Sequence, residues 1–368
     1  MARLVEVATA RLTRELHTEF VTALRRTSHV ISVAVRVTDS DGVVGYAEAP
    51  QIWRVTGESV ASIEACVLGP LADALLGREF DDPAADQIHQ MLGNAVAGNT
   101  GARAACEIAV LDLLARRAGR PLAAAIGAEV DSVGTDITIA AQVSDPFAEK
   151  VPDGFGIAKI KVGLDAADVE RVIRIQQAAG PQLRIRVDAN QAWDVDTALS
   201  TVEAWQAAGV NLDVLEQPLP AHDVRGHAVL RNRLSVPIML DESVFSVHDL
   251  HRALDAEAAD MVNIKLAKCG GIHAGLEIAR VARAAGLGVM VGSMMESELG
   301  VAAAAAFAAV VAPTESNDLD AAWWSIAATD DGTPYRGDRF LLSDEPGLSR
   351  AAARVADDLG AWQKRRLG

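Results

Sequence analysis

The segment Ile157-Ala158-Lys159-Ile160-Lys161-Val162-Gly163 alternates apolar residues with two lysines, and its reading decides the fold. Alternation with period two is the pattern of a strand. Lys161, near its end, is the first of five ionisable residues that close short apolar runs; Asp188, Glu216, Asp241 and Lys265 follow. They stand 27, 28, 25 and 24 residues apart. A strand and its following helix take about that length, so each unit ends its strand on a charge. In a closed parallel barrel those strand ends converge on one mouth, where the βα loops build the active site. Three carboxylates flanked by two lysines around one opening describe a metal ion with a base on either side.

Residues 183–188, 210–216, 237–241 and 260–265 supply the next strands, 288–292 the seventh and 315–320 the eighth, with 135–141 as the first. Alanine-rich amphipathic stretches such as 168–179 and 195–208 lie between them. Strands alternating with helices predict an α/β chain with a parallel sheet, here a (β/α)8-type, modified TIM barrel. Such a barrel takes about 250 residues, so part of the 368-residue chain is left over. The surplus lies mainly at the N-terminus. Residues 30–38 and 42–47 read as a strand pair, and 59–75 (interrupted at Gly69-Pro70) and 102–118 as helices. We therefore expect an α+β capping domain over 1–125, the barrel over 126–322, and a segment 323–368 that packs back on the cap.

A net charge of −16 and a pI of about 4.9 argue against nucleic acid or anionic membranes as partners. Cys66, Cys106 and Cys269 are odd in number and widely spaced, which points to a reducing compartment and a cytoplasmic protein. Glu6, Arg11, Arg14 and Glu15 interrupt any apolar core of a signal peptide. The longest apolar run, 299–312, is too short to span a bilayer. It reads as a buried barrel helix. A small-molecule substrate and a homo-oligomer are expected.

Asp188, Glu216 and Asp241 offer oxygen only, which selects a hard cation, Mg²⁺ or Mn²⁺, over Zn²⁺. An internal barrel strand has no solvated face away from its ends, so Lys159 and Lys161 need a reason. Like charge and desolvation would lower a lysine pKa towards the working range of a base. Lys268 reads as a surface or phosphate-like contact on the loop after Lys265.

The segments Lys159-Ile-Lys161-Val-Gly, Asp188-Ala-Asn190, Glu216-Gln-Pro218, Asp241-Glu-Ser243 and Asn263-Ile-Lys265 resemble the signature of the enolase superfamily, in its muconate-lactonizing-enzyme subgroup. The resemblance runs through the whole barrel, and the N-terminal region fits that family's capping domain. It implies that Asp188, Glu216 and Asp241 bind Mg²⁺, that Lys161 and Lys265 form an acid/base pair on opposite faces of the substrate, and that Lys159 tunes Lys161. The implied chemistry removes a proton α to a carboxylate through an enediolate. One lysine on each face suits racemisation or epimerisation by two-base 1,1-proton transfer, and equally syn elimination or cycloisomerisation.

Specificity signals sit in the last strands and the cap. Asp318-Leu319-Asp320 would bind a cationic group such as a free α-ammonium, and it is similar to the D-x-D of dipeptide epimerases of the L-Ala-D/L-Glu type. So are Lys265-Leu-Ala-Lys268-Cys-Gly-Gly271 and Gly292-Ser-Met-Met-Glu296-Ser297, which by resemblance puts Glu296 in the substrate site. Thr22-Ala-Leu-Arg25-Arg26 resembles the loop that supplies an arginine to a glutamate side chain in those enzymes. Arg25 takes the matching position, although the doubled arginine leaves the register open by one residue. Glu58, in the second cap loop, reads as a helix cap, with a preference for a basic substrate as the other reading. A muconate cycloisomerase, or an o-succinylbenzoate synthase with N-acylamino acid racemase activity, would share every catalytic residue. Asp318 and Asp320 discriminate against both. The lysine pair discriminates against a barrel that only binds.

Overall fold

The computed structural model describes residues 2–80, 85–141, 151–312, 316–325 and 332–368. It opens with an antiparallel meander of β1 (Leu4–Val21), β2 (Arg26–Asp39) and β3 (Val44–Pro50). The second and third strands match the pair read from the sequence, with longer spans. The first went unread because Arg14, between Leu12 and Leu16, breaks the alternation. Thr22 closes the first hairpin: its N–H donates to the Arg25 carbonyl at 2.9 Å, and its hydroxyl accepts from the Leu24 and Arg25 N–H groups. That turn carries Arg25 to the hairpin tip.

The inner sheet face, including Val33, Val35, Ala47 and Ala49, is fully buried. Helices α1 (Val60–Cys66), α2 (Ala85–Ala95) and α3 (Thr100–Arg117) accompany it, with shorter helical turns between and after them. Ser59 caps α1 reciprocally with Ser62, and the chain kinks at Gly69, where the sequence predicts a break.

The barrel follows from β4 (Ser132–Thr135) and β5 (Ile137–Ile139) through β6 (Ile157–Lys161), α4 (Ala167–Ala179), β7 (Arg184–Asp188), α5 (Val195–Ala207), β8 (Leu212–Glu216) and α6 (Val224–Arg233). It continues with β9 (Ile238–Leu240), α7 (Val247–Asp255), β10 (Met261–Lys265), α8 (Ile272–Ala284), β11 (Gly288–Gly292) and α9 (Glu298–Val311). Strands β5 to β11 form one seven-stranded parallel sheet in sequence order. Its two edges meet on the next strand, β12 (Ser316–Asn317). Asp318 N–H donates to Val291 O and Asp136 N–H to Asn317 O, at 2.9 and 2.8 Å, so the eighth strand closes the circuit. This strand is shorter than the 315–320 read from the sequence, and Glu315 lies outside the described residues.

The apolar run 299–312 is indeed a buried barrel helix, α9, built on alanine and capped by Ser297. No helix among the described residues is long and apolar enough to cross a membrane. After the barrel, β13 (Tyr335–Arg336) and β14 (Arg339–Leu341) form a hairpin on β4, and α10 (Ser349–Val355) leads to β15 (Gln363–Arg366). This last strand adds to the free edge of β1.

Candidate active site

Parallel register sets the strand ends side by side. Lys161 is paired with Asp188 and Asp188 with Glu216, while Asp241 follows β9 directly and Lys265 ends β10. All five are buried, as is Lys159. Lys161 Nζ lies 2.5 Å from Asp188 Oδ2, and Lys265 Nζ lies 2.9 Å from Asp241 Oδ2. Lys159 Nζ contacts Asp188, Glu216 and Asp318 at 3.2, 2.7 and 2.7 Å.

Lys268 corrects the sequence reading. It is 1% exposed, and its ammonium donates to the Asp241 carboxylate and carbonyl, and to Asn263 O at 3.1 Å. The short helix 266–269 turns its side chain inward beneath the loop rather than outward to solvent.

The motif residues between the charges hold them in place. Asp188 Oδ1 accepts the Asn190 N–H at 2.9 Å, and Asn263 Nδ2 donates to Glu216 Oε1 at 2.9 Å. Gln217 Oε1 accepts the N–H groups of Asp241 and Ser243, which ties two neighbouring strand ends together. Asn190, Gln191 and Gln217 all have positive φ, a strained backbone that clusters here just beyond Asp188 and Glu216. Gly292 leaves room for the base: a Cβ there would lie 2.7 Å from Lys265 Cε.

The lowering of pKa expected at Lys159 is absent, and Lys265 is not lowered either. Burial presses both down, but Asp318, Glu216 and Asp188 around Lys159, and Asp241 beside Lys265, hold each ammonium above its ordinary value. Asp241 is correspondingly held well below the carboxylate range by Lys265 and Lys268, against its own burial. Glu216 shifts upward through burial and the charge of Asp188. Its Oε2 is fully buried and accepts no hydrogen bond, and it pairs with the Lys159 ammonium at 2.7 Å.

Above this floor opens a pocket lined by Lys161, Asp241 and Lys265 from the barrel. Asp318, Asp320 and Thr138 form one wall, and Thr22, Leu24 and Arg25 reach in from the cap. Asp320 accepts from the Thr138 N–H at 2.6 Å and from Trp324 Nε1 at 3.3 Å. Burial and the neighbouring Asp318 push its carboxyl up to about 6, whereas the lysines bring Asp318 to about 2 despite burial. On the cap side Arg25 has neither a hydrogen-bond nor an ion-pair partner for its guanidinium among the described residues. Desolvation lowers it to about 10. Arg26 is exposed and paired with Glu19, whereas Arg25 lines the cavity.

Glu296 does not line the cavity. Its carboxyl turns back to accept the Met294 N–H at 3.3 Å, and burial beside Glu48 raises it to about 8. Glu58 accepts the N–H groups of Gly101 and Ala102, so it caps α3. Two acids went unread. Glu242 lines the cavity, is raised to about 8 by burial and Asp241, and accepts from Asn190. Asp136, raised by burial and Asp318, places its carboxylate within 4.8 Å of those of Asp318 and Asp320. This trio is not the expected ligand set, and Arg186, Lys159, Thr138 and Trp324 already bond it.

Residues 142–353 match the family described as enolase C-terminal domain-like, and residues 4–127 match the mandelate racemase / muconate lactonizing enzyme N-terminal domain. The chain belongs to the enolase superfamily. Within the superfamily it is 35% identical to an L-Ala-D/L-Glu epimerase of Bacillus subtilis (strain 168), over 96% of this chain and 98% of that one. A substrate-liganded structure of the Bacillus subtilis L-Ala-D/L-Glu epimerase superposes with a TM-score of 0.86 at 34% identity, covering 94% and 98% of the two chains. A dipeptide epimerase of Enterococcus faecalis V583, complexed with Mg and L-Leu-L-Tyr, gives a TM-score of 0.85 at 31% identity, covering 94% and 99%.

Proposed function

We propose that this superfamily member is a Mg²⁺-dependent dipeptide epimerase, an isomerase that inverts the C-terminal residue of an L-Ala-D/L-Glu-like dipeptide by two-base proton transfer. One observation carries the reading: a single cavity holds Lys161 and Lys265, the paired acids Asp318 and Asp320, and Arg25, which has no carboxylate partner among the described residues. The epimerase relatives support it. We divide the chain for this purpose into cap 1–125, barrel 126–322 and returning segment 323–368, and place it in the cytoplasm as a homo-oligomer.

Asp188, Glu216 and Asp241 would hold the Mg²⁺. They fit it: the set is oxygen-only, and Glu216 Oε2 is buried without a hydrogen bond. The ion, when bound, offsets the negative charge that develops on the substrate carboxylate as the α-proton leaves. Lys161 and Lys265 remove and return that proton from opposite faces. Lys159 shares Asp188 Oδ2 with Lys161, the place from which a fixed positive charge acts on the base. Asp318 and Asp320 accept the substrate ammonium, and Arg25 takes the acidic side chain. The test is a dipeptide library in D₂O read by mass spectrometry. Deuterium should enter L-Ala-L-Glu, and a library without any exchange would sink the reading.

Asp320→Asn separates this reading from an N-acylamino acid racemase. A hydrogen bond to a charged group contributes about 1.5–3 kcal/mol. Its loss should lower kcat/KM on L-Ala-L-Glu by about ten- to a hundredfold, and change little on N-acetyl-L-Glu. With its carboxyl raised from 3.8 to about 6, Asp320 gains a proton as pH falls through that value and no longer holds the ammonium. Relative to the N-acetyl substrate, kcat/KM on the dipeptide should therefore decline below about pH 6. A wild-type preference for the N-acetyl compound would favour the racemase instead.

Arg25→Ala should cost about ten- to a hundredfold on L-Ala-L-Glu and little on L-Ala-L-Leu. Arg26→Ala should match the wild type on both. The reverse ranking would shift the register by one residue.

A further inference from the structure

We propose that Glu107, on helix α3 of the N-terminal region, is a positioning residue that aims Lys265 from across the interface with the barrel. The inference rests on the two-lysine reading above. Glu107 is fully buried, and its Oε1 accepts the N–H of His273, in the first turn of α8, at 2.8 Å. Its Oε2 lies 3.0 Å from His89 Nδ1 on α2. The first N–H groups of a helix have no partner within it, and a carboxylate is favoured there. This one arrives from 166 residues earlier in the chain.

The fit is close on the barrel side. Gly271, with φ +129°, precedes α8, and a Cβ on it would lie 2.5 Å from Glu107 Cδ. Between Gly271 and Lys265 only the short helix 266–269 and Gly270 intervene. Leu266 O accepts from both Gly270 and Gly271, at 3.0 and 3.2 Å. Lys268, inside the segment, is locked on Asp241. The segment is thus a stiff lever. Lys265 stands at one end, and Glu107 pins the other.

Glu48, on β3, provides the contrast. It accepts the N–H groups of Ser297 and Gly300 at 3.0 Å each, together with the Ser297 hydroxyl, and so fixes the start of α9. The loop before α9 brings Met294 and Met295 to the cavity wall and carries neither lysine. Release of Glu107 should therefore disturb one face of the substrate. Release of Glu48 should disturb both faces alike.

The experiment follows α-proton exchange in D₂O for L-Ala-L-Glu and L-Ala-D-Glu separately, scoring exchange with retention. Glu107→Gln should slow one isomer more than the other, on the order of tenfold or more. The slowed isomer should be the one that Lys265→Ala cannot exchange. His89→Leu, which frees the other Glu107 oxygen, should show the same asymmetry to a smaller extent and decides the matter if Glu107→Gln does not fold. Glu48→Gln should slow both isomers equally. Equal slowing of both isomers by the Glu107 and His89 variants would mark a merely stabilising cap and overturn the proposal. Selective slowing of the isomer that Lys265→Ala spares would overturn it too. A wild-type enzyme that exchanges neither isomer would instead remove the two-lysine reading itself, and the proposal with it.

Discussion

Lys161→Ala and Lys265→Ala will each stop epimerisation of L-Ala-L-Glu, by about 10²–10⁴-fold, the contribution of a positioned proton-transfer group. The two lysines approach the cavity from β6 and β10. A variant that keeps one base still has access to one face. Each should therefore exchange the α-proton of one isomer with retention, and the two variants should retain opposite isomers. Nuclear magnetic resonance in D₂O reads both quantities in one experiment. Near wild-type epimerisation in either variant would refute its role as a base.

Removal of divalent ions is the second large effect. Treatment with EDTA should lower turnover of L-Ala-L-Glu by at least about a hundredfold, and added Mg²⁺ should restore it, since electrostatic stabilisation by a metal is worth several kcal/mol. Glu216→Gln should weaken Mg²⁺ binding, measured by calorimetry without substrate, on the order of tenfold or more. It changes the buried Oε2, which no hydrogen bond satisfies, and keeps an acceptor for Asn263. Full turnover in a metal-free preparation would exclude the assignment of Asp188, Glu216 and Asp241 to the ion.

The barrel was legible because its period is local. A charge at the end of each short apolar run, from Lys161 to Lys265, needs no knowledge of distant contacts. Asp318 and Asp320 were legible for the same reason, and the cavity wall they form matches the spacing. What stayed hidden depends on pairing across the chain. Lys268 looks like a loop lysine until helix 266–269 turns it onto Asp241. Glu48 and Glu107 look like surface acids until helices α9 and α8, 249 and 166 residues away, meet them. Glu296 is the converse case. Its motif suggests the cavity, yet the turn at Met294 folds its carboxyl back. The pKa of Lys159 runs opposite to the sequence reading because like charge was counted without the carboxylates around it.

Residues 363–366 pair with residues 6–9, so the N-terminal sheet is completed by a strand made hundreds of residues after its neighbour. At 5–20 residues per second that delay is roughly 20–70 s. For this interval residues 6–9 of β1 lack the strand that will cover their outer edge. An open strand edge is a template for pairing with other chains. Synthesis order, more than the stability of the finished molecule, therefore sets when this protein is most exposed to aggregation.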